Sequence, residues 1–188
     1  MFNFSTGDFT VSFLMNADSW VDGTNAPVSR SCFSCQGAWR GYMFEAATNN
    51  KMNFVVRDVS LLGDAGLSTN TWYYISGVRT SGSARLLRNG ANATHSPAAG
   101  DVDCTFDFLL GKHPDGTYPR NYDGKLDEVR LSKIARSNAW ERTCYLNFFY
   151  PTGFITVGTE QEGTTPVANT APTLTGEVPT NQSTNEEL

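Results

Sequence analysis

The stretch Phe9-Thr10-Val11-Ser12-Phe13-Leu14-Met15 decides how this chain is read. Phe9, Val11, Phe13 and Met15 fall on one side of an extended run, and Thr10, Ser12 and Leu14 fall on the other. Successive side chains of a strand point to opposite faces, so period-two alternation marks a half-buried β-strand. Outward from this run the same pattern recurs at 42–46, 52–57, 72–79, 84–88, 104–110, 125–131 and 154–157. Turn dipeptides separate these runs: Asp22-Gly23, Asn49-Asn50, Asn89-Gly90, Asp115-Gly116 and Asp123-Gly124. About eight short strands joined by tight turns predict an all-β, two-sheet antiparallel sandwich. One segment departs from the alternation. Ser137 or Asn138 can cap a helix, Glu141 sits near the third position after either, and Trp140 and Cys144 lie four apart on one side. That pattern predicts one short helix near the end of the domain.

The 188 residues are 39% apolar and 18% charged, enough for one domain of about 150 residues with its own core. Fourteen Lys and Arg stand against nineteen Asp and Glu. From Thr159 to Leu188 there are five acids (Glu160, Glu162, Glu177, Glu186 and Glu187) and no base, so residues 1–158 are neutral overall. A neutral body without a basic stripe argues against nucleic acid or an anionic membrane as partner. No apolar run reaches the roughly 20 residues that span a bilayer, so no membrane insertion is expected. Met1-Phe2-Asn3-Phe4 has no basic start leading into an apolar stretch, so no signal peptide is expected there. Residues 161–188 hold Pro166, Pro172 and Pro179, many Thr and Asn and no aromatic side chain. Such a segment lacks the apolar surface to order itself and reads as a linker after a domain of residues 1–160.

Four stretches carry a family resemblance. Phe2-Asn3-Phe4-Ser5-Thr6-Gly7-Asp8-Phe9-Thr10-Val11-Ser12-Phe13 is similar to an opening strand. Trp72-Tyr73-Tyr74-Ile75-Ser76-Gly77-Val78-Arg79 with Ala84-Arg85-Leu86-Leu87-Arg88-Asn89-Gly90 is similar to a central hairpin. Gly124-Lys125-Leu126-Asp127-Glu128-Val129-Arg130-Leu131-Ser132, then Ile134-Ala135-Arg136-Ser137, is similar to a late strand and helix start. Phe154-Ile155-Thr156-Val157-Gly158-Thr159-Glu160 is similar to a closing strand. In this order they resemble the laminin-G-like, concanavalin A-type jelly rolls of bacteria and archaea. That resemblance implies a jelly-roll sandwich, a non-catalytic extracellular role in glycan binding or cell adhesion, and a structural calcium. Two features depart from it. The strand that usually precedes the Phe-Ser-x-Gly-Asp-Phe stretch is missing, and Leu14 stands where the family commonly has Trp. A missing strand leaves a sheet edge open to another strand. The alternative role is therefore a structural subunit of a surface layer, filament or phage-like appendage, self-associating by strand exchange. Asn169-Thr170-Ala171-Pro172-Thr173 and the polar run 179–185 resemble the start of an immunoglobulin-like repeat, as in a modular secreted or cell-surface protein.

Enzyme chemistry is not expected. The Glu-x-Asp-x-x-Glu pattern of the glucanases that share this fold is absent. Asp127 and Glu128 are neighbours, which on a regular strand sends them to opposite faces. No Gly-x-Ser-x-Gly, His-Glu-x-x-His or phosphate-cradling Gly-Lys-Ser/Thr motif occurs. His95 and His113 lie in turn-rich stretches and read as solvated loop residues. Asp127 shares register with Val129 and Leu131, which would aim it inward; a buried carboxylate needs a cation or several donors. By the resemblance that cation is calcium, with Asp18, Asp22 and Asn25 of the first long loop as its other ligands. A sugar needs an aromatic platform with planar polar groups at a loop rim. Three groups offer this: Trp20 with Asp18 and Asp22, Trp39 with Arg40, and the loop 113–122 with His113, Asp115, Tyr118, Arg120 and Tyr122. Trp72 and Trp140 read as core.

Four cysteines allow three disulfide pairings, of which Cys32–Cys35 with Cys104–Cys144 rearranges the order least. A secreted context favours bridges, and the second Cys-x-x-Cys of a four-cysteine zinc site is absent. Sequons at Asn3, Asn92 and Asn181 fit an exterior surface.

Overall fold

The computed structural model describes residues 2–20, 25–32, 39–80, 82–114, 120–156, 158 and 173–174, the backbone alone at 154–156 and 173–174. Two five-stranded antiparallel sheets face one another across an apolar core. In the first, β10 (Gly124–Ser132), β1 (Phe9–Ala17), β6 (Trp72–Thr80), β7 (Ser83–Arg88) and β8 (Ala91–Pro97) lie side by side in that order. In the second the order is β5 (Val59–Gly66), β4 (Lys51–Val56), β3 (Arg40–Ala47), β2 (Val28–Cys32) and β9 (Leu109–Leu110). This is the antiparallel sandwich that the alternation predicts, in the jelly-roll form that the resemblance implies.

The alternation in β1 does what its chemistry requires. Phe9, Val11, Phe13 and Met15 are completely buried between the sheets, each contributing about 2 kcal/mol of hydrophobic burial. Phe13 meets Phe44 of β3 edge-on at 4.9 Å, and Phe44 stacks on Phe54 of β4 at 4.6 Å. Phe9 packs between Phe4 and Tyr42 at 4.6 and 5.0 Å. On β6 the place opposite the two stacked rings is Gly77. A Cβ there would lie 2.6 Å from ring atoms of both Phe44 and Phe54, so the rings press directly on backbone.

Several strands lie where the sequence shows no apolar period: β2, β5 and β8. The run predicted at 104–110 contracts to Leu109–Leu110. Helix α1 (Asn138–Phe149) begins as expected, with the Trp140 amide donating to Ser137 Oγ at 3.2 Å. It lies on the outer face of the first sheet, where Phe148 meets Tyr74 at 5.7 Å. A four-residue helix α2 (Pro151–Phe154) follows. The expected closing strand is β11 (Ile155–Thr156), which joins neither large sheet and pairs antiparallel with β12 (Thr173–Leu174).

Four expectations are corrected. Cys104 and Cys144 are free thiols, so the Cys104–Cys144 bridge does not form: Cys104 is buried beside β2 while Cys144 sits on α1. Cys32 is disulfide-bonded, and Cys35 lies outside the described residues. Trp72 is 38% exposed rather than core, because Tyr73 and Ile75 take the inward positions of β6. Asp127 faces outward. Its partner on β1 is Leu14, and a β-bulge between Ser12 and Leu14, with Glu128 at φ 50°, breaks the register it was to share with Val129 and Leu131. Both Asp127 and Glu128 are exposed. Finally, His113 is not a solvated loop residue but 1% exposed, for a reason that belongs to the site below.

Candidate functional site

Because Tyr42, Phe44 and Ala46 point into the core, the other positions of β3 point out. The outer face of the second sheet therefore carries Met43 and Glu45, and Asn53 and Val55 beside them on β4. These outward side chains are buried nonetheless. Residues 111–114 and 120–122 pair antiparallel, with the Tyr122 amide donating to the Gly111 carbonyl at 2.8 Å and the His113 amide to the Arg120 carbonyl at 2.9 Å. These two arms reach down to β2 and β3. His113 Nε2 lies 2.7 Å from Ser31 Oγ, which buries the imidazole. Arg120 makes an ion pair with Glu45. Burial pulls the Arg120 guanidinium below its ordinary value.

From Glu45 a polar track runs outward across the strands. Asn53 Nδ2 donates to Glu45 Oε1 at 3.0 Å, and Ser60 Oγ donates to Asn53 Oδ1 at 2.8 Å. Ser60 is exposed and belongs also to an open depression of about 290 Å³ lined by Trp39, Val55, Asp58 and Ser60. Val55 is the apolar floor. Asp58 stands in the tight β4–β5 turn, held by Arg57 at 3.5 Å. An indole beside an apolar floor, with a carboxylate and a hydroxyl, matches the two faces of a pyranose: C–H groups against the ring, hydroxyls against the polar groups.

The other expected site residues gather at the end of β1. Asp18 Oδ1 accepts from Lys125 Nζ at 3.0 Å, Ser19 Oγ donates to Asp123 Oδ2 at 2.7 Å, and Asn25 Nδ2 donates to the Ser19 carbonyl at 2.8 Å. Trp20 and Tyr122 pack against the core beneath this corner, and burial, with Asp18 and Asp123 adding to it, pushes the Tyr122 phenol up. The corner thus brings together Asp18, Asn25, Trp20 and Tyr122 but not Asp127, four strand positions beyond Asp123, roughly 13 Å away. Among the described residues no three His, Cys, Asp or Glu side chains are placed to share a metal ion. Asp22, Asp115 and Tyr118 lie outside the described residues.

The sequence reading names Trp39 but misses Val55 on β4, Asp58 in the β4–β5 turn and Ser60 on β5, which line the same depression. The available signal is Val55-Val56-Arg57-Asp58-Val59, a charged dipeptide between apolar residues, which marks a hairpin. Its approach to Trp39 depends on strand pairing.

Similar solved structures share the fold. A candidate carbohydrate-binding protein from Bacteroides ovatus matches with a TM-score of 0.61 at 21% identity, over 74% of this chain and 40% of its own. The binding domain of Paraclostridial Mosquitocidal Protein 1 matches at 0.62 and 16%, over 81% and 40%. Domain 4 of an extracellular arabinanase from Geobacillus stearothermophilus, solved with arabinotriose, matches at 0.56 and 14%, over 75% and 68%. The chain therefore spans less than half the length of the first two. No curated protein matches the sequence. The sequence profile of the laminin-G type matches residues 2–140, and on that match the chain belongs to the concanavalin A-like lectin/glucanases superfamily.

Proposed function

We propose that this domain is a non-catalytic glycan-recognition module of a secreted or cell-surface protein, and that it seats a sugar in the depression beside Trp39. The observation that carries this reading is that Trp39, Val55, Asp58 and Ser60 line one open depression. Hydrolysis of a glycosidic bond uses two carboxyl groups about 5–9.5 Å apart across the scissile bond. Among the described residues Asp58 is the one acid lining the depression, and Glu45 is committed to Arg120 and Asn53. A single carboxylate can hold sugar hydroxyls without cleaving anything. The carbohydrate-binding descriptions of two structural relatives support the ligand class. No described helix is long and apolar enough to cross a membrane, which agrees with a recognition role outside the bilayer.

The deciding experiment is a glycan array probed with the full chain and with Trp39→Ala. Retention of one glycan class by the unmodified protein, weakened about tenfold or more in the variant, corresponds to losing about 1.4 kcal/mol of stacking. Equal retention by both proteins, or none by either, overturns the reading.

A further inference from the structure

On the opposite side of the molecule, a polar notch lies between β10 and α1. The alternation that buries Phe9, Val11 and Phe13 turns Thr10 and Ser12 outward, and on β6 it turns Tyr74 and Ser76 the same way. Helix α1 covers these groups and encloses a cavity of about 70 Å³. Its floor is Ser12, Tyr74 and Glu141, and its mouth is Arg130, Arg136 and Trp140. At about 30 Å³ per water this holds roughly two waters, the size of one carboxylate or sulfate group.

Two guanidiniums bracket the notch, each laid on an aromatic ring of α1. Arg136 lies 4.2 Å from the centre of Trp140, and Arg130 lies 5.1 Å from the centre of Phe148. These rings are eight residues apart, about 12 Å along the helix. Arg130 is engaged by Glu128 through bonds of 3.1 and 2.6 Å. Arg136 differs. Its amide donates to Thr10 Oγ1 at 2.9 Å and its carbonyl accepts from Arg85, while its guanidinium has no hydrogen bond or ion pair among the described residues. Stacking holds a guanidinium plane in place and leaves its N–H donors directed outward in a fork suited to an oxyanion. The surrounding charge is positive: Arg85, Arg130 and Arg136 stand against Glu128 and Glu141. The Glu141 carboxyl is pushed upward by burial and accepts from Tyr74 Oη at 2.7 Å.

We propose that this notch binds the anionic group of an acidic sugar, a carboxylate or a sulfate ester, with Arg136 as its charge partner and the Ser132 hydroxyl beside it. The oxyanion chemistry follows from the notch itself; the choice of a sugar as carrier rests on the glycan reading above.

The test is an NMR titration of the full chain that follows the Trp140 indole N–H with methyl glucuronide, methyl glucoside 6-sulfate, sodium sulfate and methyl glucoside. Methyl glucuronide is expected to shift the signal and methyl glucoside is not. Arg136→Gln removes the charge-assisted bond and is expected to weaken glucuronide binding about tenfold or more. Arg136→Lys, which keeps the charge without the fork, falls between the two, and each variant's own spectrum reports whether it is folded. Equal shifts with glucoside and glucuronide, or an Arg136→Gln protein that titrates like the unmodified one, overturn the proposal. A response to sulfate with none to glucuronide or to methyl glucoside 6-sulfate overturns the acidic-sugar assignment. Loss of array binding in Trp39→Ala concerns the depression alone, so the two readings fail separately.

Discussion

The Tyr74 hydroxyl donates to Glu141 Oε2 at 2.7 Å across 67 positions of sequence, and this bond fastens α1 to the outer face of the first sheet. Both side chains are 1% exposed. Removing the hydroxyl leaves a buried carboxyl short of a donor, which costs about 1–3 kcal/mol. Tyr74→Phe is expected to lower Tm by roughly 2–4 °C per kcal/mol lost in a domain of this size, read by calorimetry.

The same carboxyl sets a pH dependence. Burial raises Glu141 above its ordinary 4.5, so the folded protein prefers the protonated form. Its contribution to stability is therefore full below the unfolded value and declines as pH rises through the folded one. Tyr74 and Ser76 on β6, Arg85 on β7, and Arg136 beside the helix oppose that shift, and Cys144 lies on the helix itself. Glu141→Gln is expected to flatten this part of the Tm–pH curve above pH 4.5. An unchanged curve would show that another group sets it.

Gly77 is a tight point of the core. Gly77→Ala drives a methyl group to within 2.6 Å of Phe44 and Phe54 ring atoms, and overpacking of this kind costs about 1–3 kcal/mol. Urea unfolding should show a lower midpoint with an unchanged slope. Phe54→Leu in the same chain should recover part of the loss.

The thiols are graded by burial. Desolvation pushes Cys104 and Cys144 up, which lowers their thiolate fraction and slows reaction with a disulfide reagent at neutral pH. Denaturation without reductant should expose two thiols, and with reductant all four cysteines should react. Three or more thiols without reductant would contradict a bridge at Cys32.

We propose calcium for the corner of Asp18 and Asp123. The described side chains there make an incomplete cage, since Lys125 already neutralises Asp18. Six to eight oxygens would have to come from these acids, loop carbonyls, Asp22 and water. Millimolar calcium should raise the Tm of the unmodified chain and of Asp127→Asn equally, and should not raise that of Asp123→Asn. A rise lost in Asp127→Asn would return the metal to the sequence-predicted residue.

The comparison of sequence with structure turns on where local pattern suffices. β1 is legible because Phe9, Val11, Phe13 and Met15 keep a strict period of two with Thr10 and Ser12 between the first three, and α1 because its cap and apolar spacing are local. β8, Ala91–Pro97, carries no apolar stripe; pairing with β7 makes it a strand. Asp127 was misplaced because a bulge shifts register without any signature in residue type, and His113 because its burial comes from a loop lying on a distant strand. The Trp39 depression was half legible. The aromatic could be recognised as a platform, but its polar companions arrive through the β4–β5 hairpin.

The short ladder between β11 and β12 has a mechanical meaning. Ile155 pairs with Leu174 at the open end of the ladder, while Thr156 and Thr173 lie toward its closed end. Tension applied beyond Leu174 therefore loads the hydrogen bonds one after another, as a zip, and not all together in shear. Few bonds guard this ladder, so it opens near the low end of the stability range. Under load this ladder yields first, while the two-sheet sandwich keeps its shape. Single-molecule pulling would register this as a small, low-force extension preceding the large one.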